Sequence, residues 1–147
     1  MSECKVYVDA NGDIARWVCF GLGYDADWIG ENLTFGFAVN HRMVGGLIFN
    51  QYRPHHDVWW TIYACDRHWC TRSVLRKMFT EAFVNLDCRR INLLVSKKNK
   101  HSLNFVRRLG FKKEGILRRF REDGEDCYVL GMLKQECQWI KKGKTNE

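Results

Sequence analysis

Arg67, Arg72 and Arg76 crowd one stretch of this 147-residue chain, Asp66-Arg67-His68-Trp69-Cys70-Thr71-Arg72-Ser73 and the residues after it. From Val74 the apolar side chains Val74, Leu75, Met78, Phe79, Ala82, Phe83 and Leu86 fall at helical spacing, which predicts a helix beginning at the arginines. The first amides of a helix bind phosphate. Cations beside that positive end are unfavourable by about 0.3–1 kcal/mol each unless an anion compensates. The crowding therefore points to a bound pyrophosphate, with side chains splayed into water as the alternative. Cys70 adds a second chemistry, since a thiol at a helix start beside arginines has a lowered pKa and is nucleophilic or redox-sensitive.

A second group of polar residues lies at Asn99-Lys100-His101-Ser102. Asn99 reads as a helix cap or as a hydrogen-bond partner for a ligand, and Ser102 as a first-turn serine satisfying helix amides or as a proton relay. His55, His56, Asp57 and Glu31 are candidate general bases. Cys65, His68 and Cys70 lie close together without the spacing of a zinc site, so no metal is expected.

The elements that must position these residues are legible in part. Cys4 to Val8 reads as a first strand and Ile14 to Leu22 as a short helix. Thr34 to Asn40 and Met43 to Tyr52 form a hairpin around Asn40-His41-Arg42. Asp57 to Cys65, apolar on both alternating faces, reads as a central strand covered on both sides, with Trp59 and Trp60 on opposite faces. Ile91 to Val95 is a strand, and an amphipathic helix runs from the Asn99 cap to Gly110, followed at once by a strand that carries Gly115. Ile116 to Arg121 and Cys127 to Leu133 pair around the Asp123-Gly124 turn. Strands alternating with helices predict one mixed α/β domain.

Composition bounds the rest. With 46% apolar and 14% aromatic residues, one proline and no repeat, the chain suits a single globular domain over residues 1–140, followed by a flexible basic tail at 141–147. Seven cysteines without Cys-x-x-Cys spacing read as reduced thiols. No run approaches a membrane span and the N terminus has no signal-peptide profile, so a cytoplasmic protein is expected. The net charge of +7 attracts anions in general. For nucleic acid, charge is the only argument, and no membrane partner is expected.

Asn99, Ser102, Phe105, Gly110, Phe111, Glu114 and Gly115 together resemble the C-terminal half of the GNAT acetyltransferase superfamily. The likeness is to its branch that acetylates ribosomal-protein N termini and to short GNAT-like proteins of tailed bacteriophages. It is strongest from Arg89 to Cys137 and extends to Thr34. It implies a mixed central sheet of about six to seven strands flanked by helices, and acetyl transfer from acetyl-coenzyme A to a primary amine of a protein or small molecule. Amides near Thr61, Ile62 and Tyr63 on a bulged central strand would stabilise the tetrahedral oxyanion. Arg67, His68, Trp69, Cys70, Thr71 and Arg72 would hold the pyrophosphate, Asn99 would touch the pantetheine arm, and Ser102 would be the catalytic hydroxyl.

Two departures stand out. Cys70 and Arg72 occupy positions where the superfamily's phosphate loop has glycines, and Val106 stands where many members place a tyrosine acid. A rival reading is thus a catalytically inert GNAT-like module that binds a protein partner. The resemblance implies a monomer or homodimer, in the host cytoplasm if phage-encoded.

Overall fold

A computed structural model describes residues 3–140, so the basic tail lies outside the described residues. The chain forms β1 (Cys4–Val8), α1 (Asp13–Leu22), β2 (Asn32–Val39), β3 (Arg42–Arg53), β4 (Asp57–Ala64), α2 (Arg72–Thr80), β5 (Arg90–Ser96), α3 (Lys100–Leu109), β6 (Lys112–Leu117) and β7 (Cys127–Leu133). The seven strands make one sheet in the order β1-β2-β3-β4-β5-β7-β6. Only β4 and β5 run parallel, so the mixed α/β architecture expected from sequence is the observed one.

Local chemistry accounts for most boundaries. Asn40 and His41 both adopt positive φ between the paired Val39 and Arg42, the geometry of a two-residue hairpin whose twist matches its strands. Asp9 anchors the start of α1, its carboxylate accepting from the Gly12 and Ala15 amides. Thr71 caps α2 through its hydroxyl. The helix predicted through Leu86 continues past Thr80 as a wider turn, Glu81–Asn85, closed by the Leu86 amide on the Glu81 carbonyl.

The sheet separates two packed layers. On one face Val58, Trp60, Ile91, Leu93 and Val95 meet Leu75, Met78 and Phe79 of α2 and Val106 and Leu109 of α3. On the other face Ala15, Val18 and Cys19 of α1 pack on Ile48, with Tyr63 beside them. α1 lies close to the sheet because Gly46 has no side chain: a Cβ there would sit 2.5 Å from Val18. Trp59 and Trp60 point to opposite faces as expected, Trp60 into the core and Trp59 half-buried.

The hairpin near the C terminus differs from the sequence reading. β6 starts at Lys112, just past Gly110, and carries Gly115 as expected, but it ends at Leu117, which pairs with Cys127, so residues 118–126 form a broad loop instead of a tight turn. The Asp123-Gly124 pair does make a turn, with Gly124 N–H on the Arg121 carbonyl, but inside that loop. Asp126 widens it by accepting from the Arg119 amide. Side-chain hydrogen bonds thus hold an arrangement that turn propensity alone does not specify.

Candidate functional site

β4 and β5 are paired only from Asp57–Arg90 to Trp60–Leu93. Beyond that point they separate, while β4 stays registered with β3 through Thr61, Ile62, Tyr63 and Ala64. The central strand is therefore paired along both edges over its first half only. Its register is unbroken at Thr61–Tyr63; the irregularity lies in β3 between Asn50 and Arg53, where Gln51 takes a positive φ.

The direction of the amides follows from alternation along the strand. Cys65 N–H donates to Val44 O on the β3 side. Odd-numbered amides of β4 therefore face β3, and Ile62 and Ala64 turn theirs toward the gap where β5 has departed. Ile62 N–H is the first amide beyond the last β4–β5 pair.

The gap opens into a cleft of about 950 Å³. α2 follows β4 and α3 follows β5, so both helix N-termini converge on the carboxyl ends of the parallel pair, where open α/β sheets bind ligands. The wall contains Thr61, Ile62, Arg67, Trp69, Cys70, Asn99 and Ser102 from the sequence-derived set. It does not contain Tyr63, His68, Thr71 or Arg72. Tyr63 packs edge-on against Trp17, ring centres 5.2 Å apart. His68 is exposed and bonded to Asp66, Thr71 Oγ1 is used as the α2 cap, and the Arg72 guanidinium lies 5.8 Å from the centre of the Trp139 ring.

The glycine-free loop has largely closed on itself. His68 N–H donates to Asp66 Oδ1, Cys70 N–H to Arg67 O and Thr71 N–H to Trp69 O. Among the described residues the amides of Arg72 and Ser73, the first two of α2, make no hydrogen bond. The predicted cradle of several guanidinium groups is thus reduced to Arg67 and two amides. The His68 amide and ring hold the Asp66 carboxyl below its usual range. Burial pushes the Cys70 thiol up, opposite to the lowered pKa expected at a helix start, so the thiol is not activated.

Asn99 caps α3 with its side chain: Oδ1 accepts from Ser102 N–H at 3.1 Å, and its backbone carbonyl accepts from Leu103 N–H. Its Nδ2 is left as a donor. The Ser102 hydroxyl makes no hydrogen bond among the described residues, so it is not spent on helix amides. Trp60 lines the cleft, and its buried indole N–H meets no acceptor.

The candidate bases do not gather here. His55 bonds to Asp87 in the β3–β4 turn, and Asp57 sits at the opposite end of β4, about 17 Å from Ile62 at roughly 3.3 Å per residue. Burial raises the Asp57 pKa, but hydrogen bonds from Arg53 and Asn92, with the charges of Arg53 and Arg90, outweigh it and hold the carboxyl below its usual range. Glu31 is not on the cleft wall. The wall instead carries His101, Asp25 and Glu122, which sequence reasoning missed. His101, adjacent to Ser102 in the first turn of α3, was the one with a readable signal.

All seven cysteines are free thiols, and no group of metal-ligating side chains occurs among the described residues. No described helix is long and apolar enough to cross a membrane.

Fold and cleft define a mixed α/β protein with a cleft at the carboxyl ends of two parallel strands. The acetyltransferase (GNAT) domain family matches residues 26–128, and the chain belongs to that family. Among solved structures, a spermidine N-acetyltransferase from Vibrio cholerae is similar at TM-score 0.71 and 14% identity, over 90% of this chain and 94% of that one. Its dodecameric form matches at TM-score 0.70 with the same identity and coverage. A provisionally assigned acetyltransferase matches at TM-score 0.65 and 22% identity over 76% of this chain, which spans 65% of that protein's length.

Proposed function

We propose that the protein transfers an acetyl group from acetyl-coenzyme A to a primary amine of a protein or small molecule. The observation that carries this reading is the Ile62 amide, unpaired at the point where β4 leaves β5 and turned toward a cleft onto which two helix N-termini converge.

The residues present fit the coenzyme. The cleft volume of about 950 Å³ suits an extended arm. The Asn99 Nδ2 is a donor suited to an amide carbonyl, and the Arg67 guanidinium suits phosphate oxygens. When bound, the coenzyme supplies an activated thioester carbonyl.

Ile62 N–H then donates to the oxygen that becomes negative as the amine attacks. The Ser102 hydroxyl, free of the helix amides, offers a proton to the departing thiolate directly or through water. His101, Asp25 and Glu122 are the wall residues able to take the proton of the incoming ammonium. Attack is direct, so no side-chain nucleophile is needed and the half-buried Cys70 thiol takes no part.

A thermal-shift titration with acetyl-coenzyme A, followed by thiol release with a panel of amines, tests the proposal. Coenzyme at 100 times its Kd stabilises the fold by about 2.7 kcal/mol, and thiol appears with at least one amine. A flat melting curve at millimolar coenzyme together with no thiol release ends the reading. Binding without release for every amine instead supports an inert module.

A further inference from the structure

Part of the cleft wall belongs to the α1 side of the sheet, away from the N-termini of α2 and α3: Tyr24, Asp25 and Trp28 follow α1, and Phe120, Arg121 and Glu122 come from the β6–β7 loop that meets them. Arg121 is held from both ends. Its amide donates to Glu125 O at 3.0 Å and its carbonyl accepts from Gly124 N–H at 2.8 Å, which fixes the backbone. Its Nη1 donates to the Tyr24 hydroxyl, and the guanidinium carbon sits 4.8 Å from the Tyr24 ring centre.

This cation is under-satisfied. Among the described residues Arg121 has no carboxylate within ion-pair distance, its Nε–H is buried without an acceptor, and its Nη2 makes no hydrogen bond. A guanidinium presents five N–H donors, of which one is used, and on a neutral oxygen. Glu122 and Asp25 share the wall without neutralising it. The Nε–H is closed off from the cleft, so the donor left open to an occupant is the unpartnered Nη2. The carboxylates and the Trp28, Trp59 and Phe120 rings suit an ammonium group, whereas Arg121 suits an oxygen.

Resting on the acetyl-transfer reading, we propose that the acceptor is an amine bearing a carboxylate or carbonyl oxygen, an amino acid or a peptide, and that Arg121 binds this oxygen. A linear polyamine, the substrate class of the structurally similar spermidine enzyme, brings further positive charge to Arg121 and no acceptor oxygen.

The experiment titrates the full chain with alanine, the dipeptide Ala-Ala, isopropylamine and spermidine. It follows tryptophan fluorescence, since Trp28 and Trp59 line the cleft, and thiol release in parallel. Alanine or the dipeptide should bind at least tenfold tighter than isopropylamine. Tighter alanine identifies a free amino acid, and tighter dipeptide a peptide N terminus. Arg121→Met brings the oxygen-bearing and oxygen-free amines within twofold, through KM and not kcat. If that variant fails to fold by circular dichroism, Arg121→Lys and Tyr24→Phe replace it, each expected to reduce the preference at least threefold. Spermidine or isopropylamine binding as tightly as the dipeptide, or equal weakening of all four by the variants, overturns the proposal. Arg121-dependent binding without thiol release overturns only the transferase reading. Release from isopropylamine and spermidine regardless of Arg121 overturns only the present one.

Discussion

The two ends of the β4–β5 pair make opposite use of the same strands. At the Asp57 end the strands are zipped and the polar groups satisfied: Asn92 Nδ2 donates to Asp57 at 2.8 Å, Arg53 Nε to the same carboxylate at 2.6 Å, and Arg90 Nε to Asn92 Oδ1 at 2.6 Å. Arg90 also reaches Glu114 on β6 across β7, over Gly131, where a Cβ would stand 2.0 Å from the guanidinium. At the other end the strands part and donors are left without partners: the Ile62 amide, the Trp60 indole N–H and the Nε–H of Arg121, whose guanidinium otherwise donates only to Tyr24. The satisfied end holds the sheet together so that the unsatisfied end can stay open. An unpaired donor costs about 1–3 kcal/mol when buried, and a ligand removes that cost.

The contrast can be broken from either end. The largest effect is expected at the open end. Ile62→Pro deletes an amide that makes no ladder bond, so the fold should survive while kcat falls about 10²- to 10³-fold, read by thiol release beside circular dichroism. At the closed end Asp57→Ala leaves Asn92 Nδ2 and Arg53 without their acceptor and should lower stability by about 2–3 kcal/mol in urea unfolding. Because the folded Asp57 pKa is depressed, its contribution is present above the unfolded value of about 4 and is lost as pH falls through the folded one. Asp57→Asn should therefore flatten the acid limb of the stability profile. Ser102→Ala should reduce kcat by about 10²-fold with coenzyme affinity preserved, because the hydroxyl is not a helix cap. The smallest effect is expected at Arg72→Ala, about 0.5–1 kcal/mol of stability from the lost contact with Trp139 and no change in coenzyme affinity. Equal weakening of the coenzyme by Arg72→Ala and Arg67→Ala would return Arg72 to the cleft.

Legibility followed the range of the interactions involved. The helix from Asn99 to Gly110 was readable because its cap, its apolar stripe and its glycine stop act within a few residues. The Asn40-His41 turn and α2 were readable for the same reason. The broad loop before β7 was not, because Asp126 and the Leu117–Cys127 pairing place the reversal and both act between segments. Asp25 and Glu122 carried no signal, since nothing local distinguishes a carboxylate facing a cleft from one facing water.

The sequence by itself determined the element order, the mixed sheet, the family likeness and the helix bearing Asn99 and Ser102, because periodicity and capping are local properties. Only the tertiary structure decided that β4 and β5 part after Trp60, that the loop after Asp66 consumes its own amides, and that Arg72 turns to Trp139 while Arg121 reaches Tyr24. Those outcomes depend on which groups from distant segments meet, and a hydrogen bond or a missing one between such groups leaves no trace in spacing.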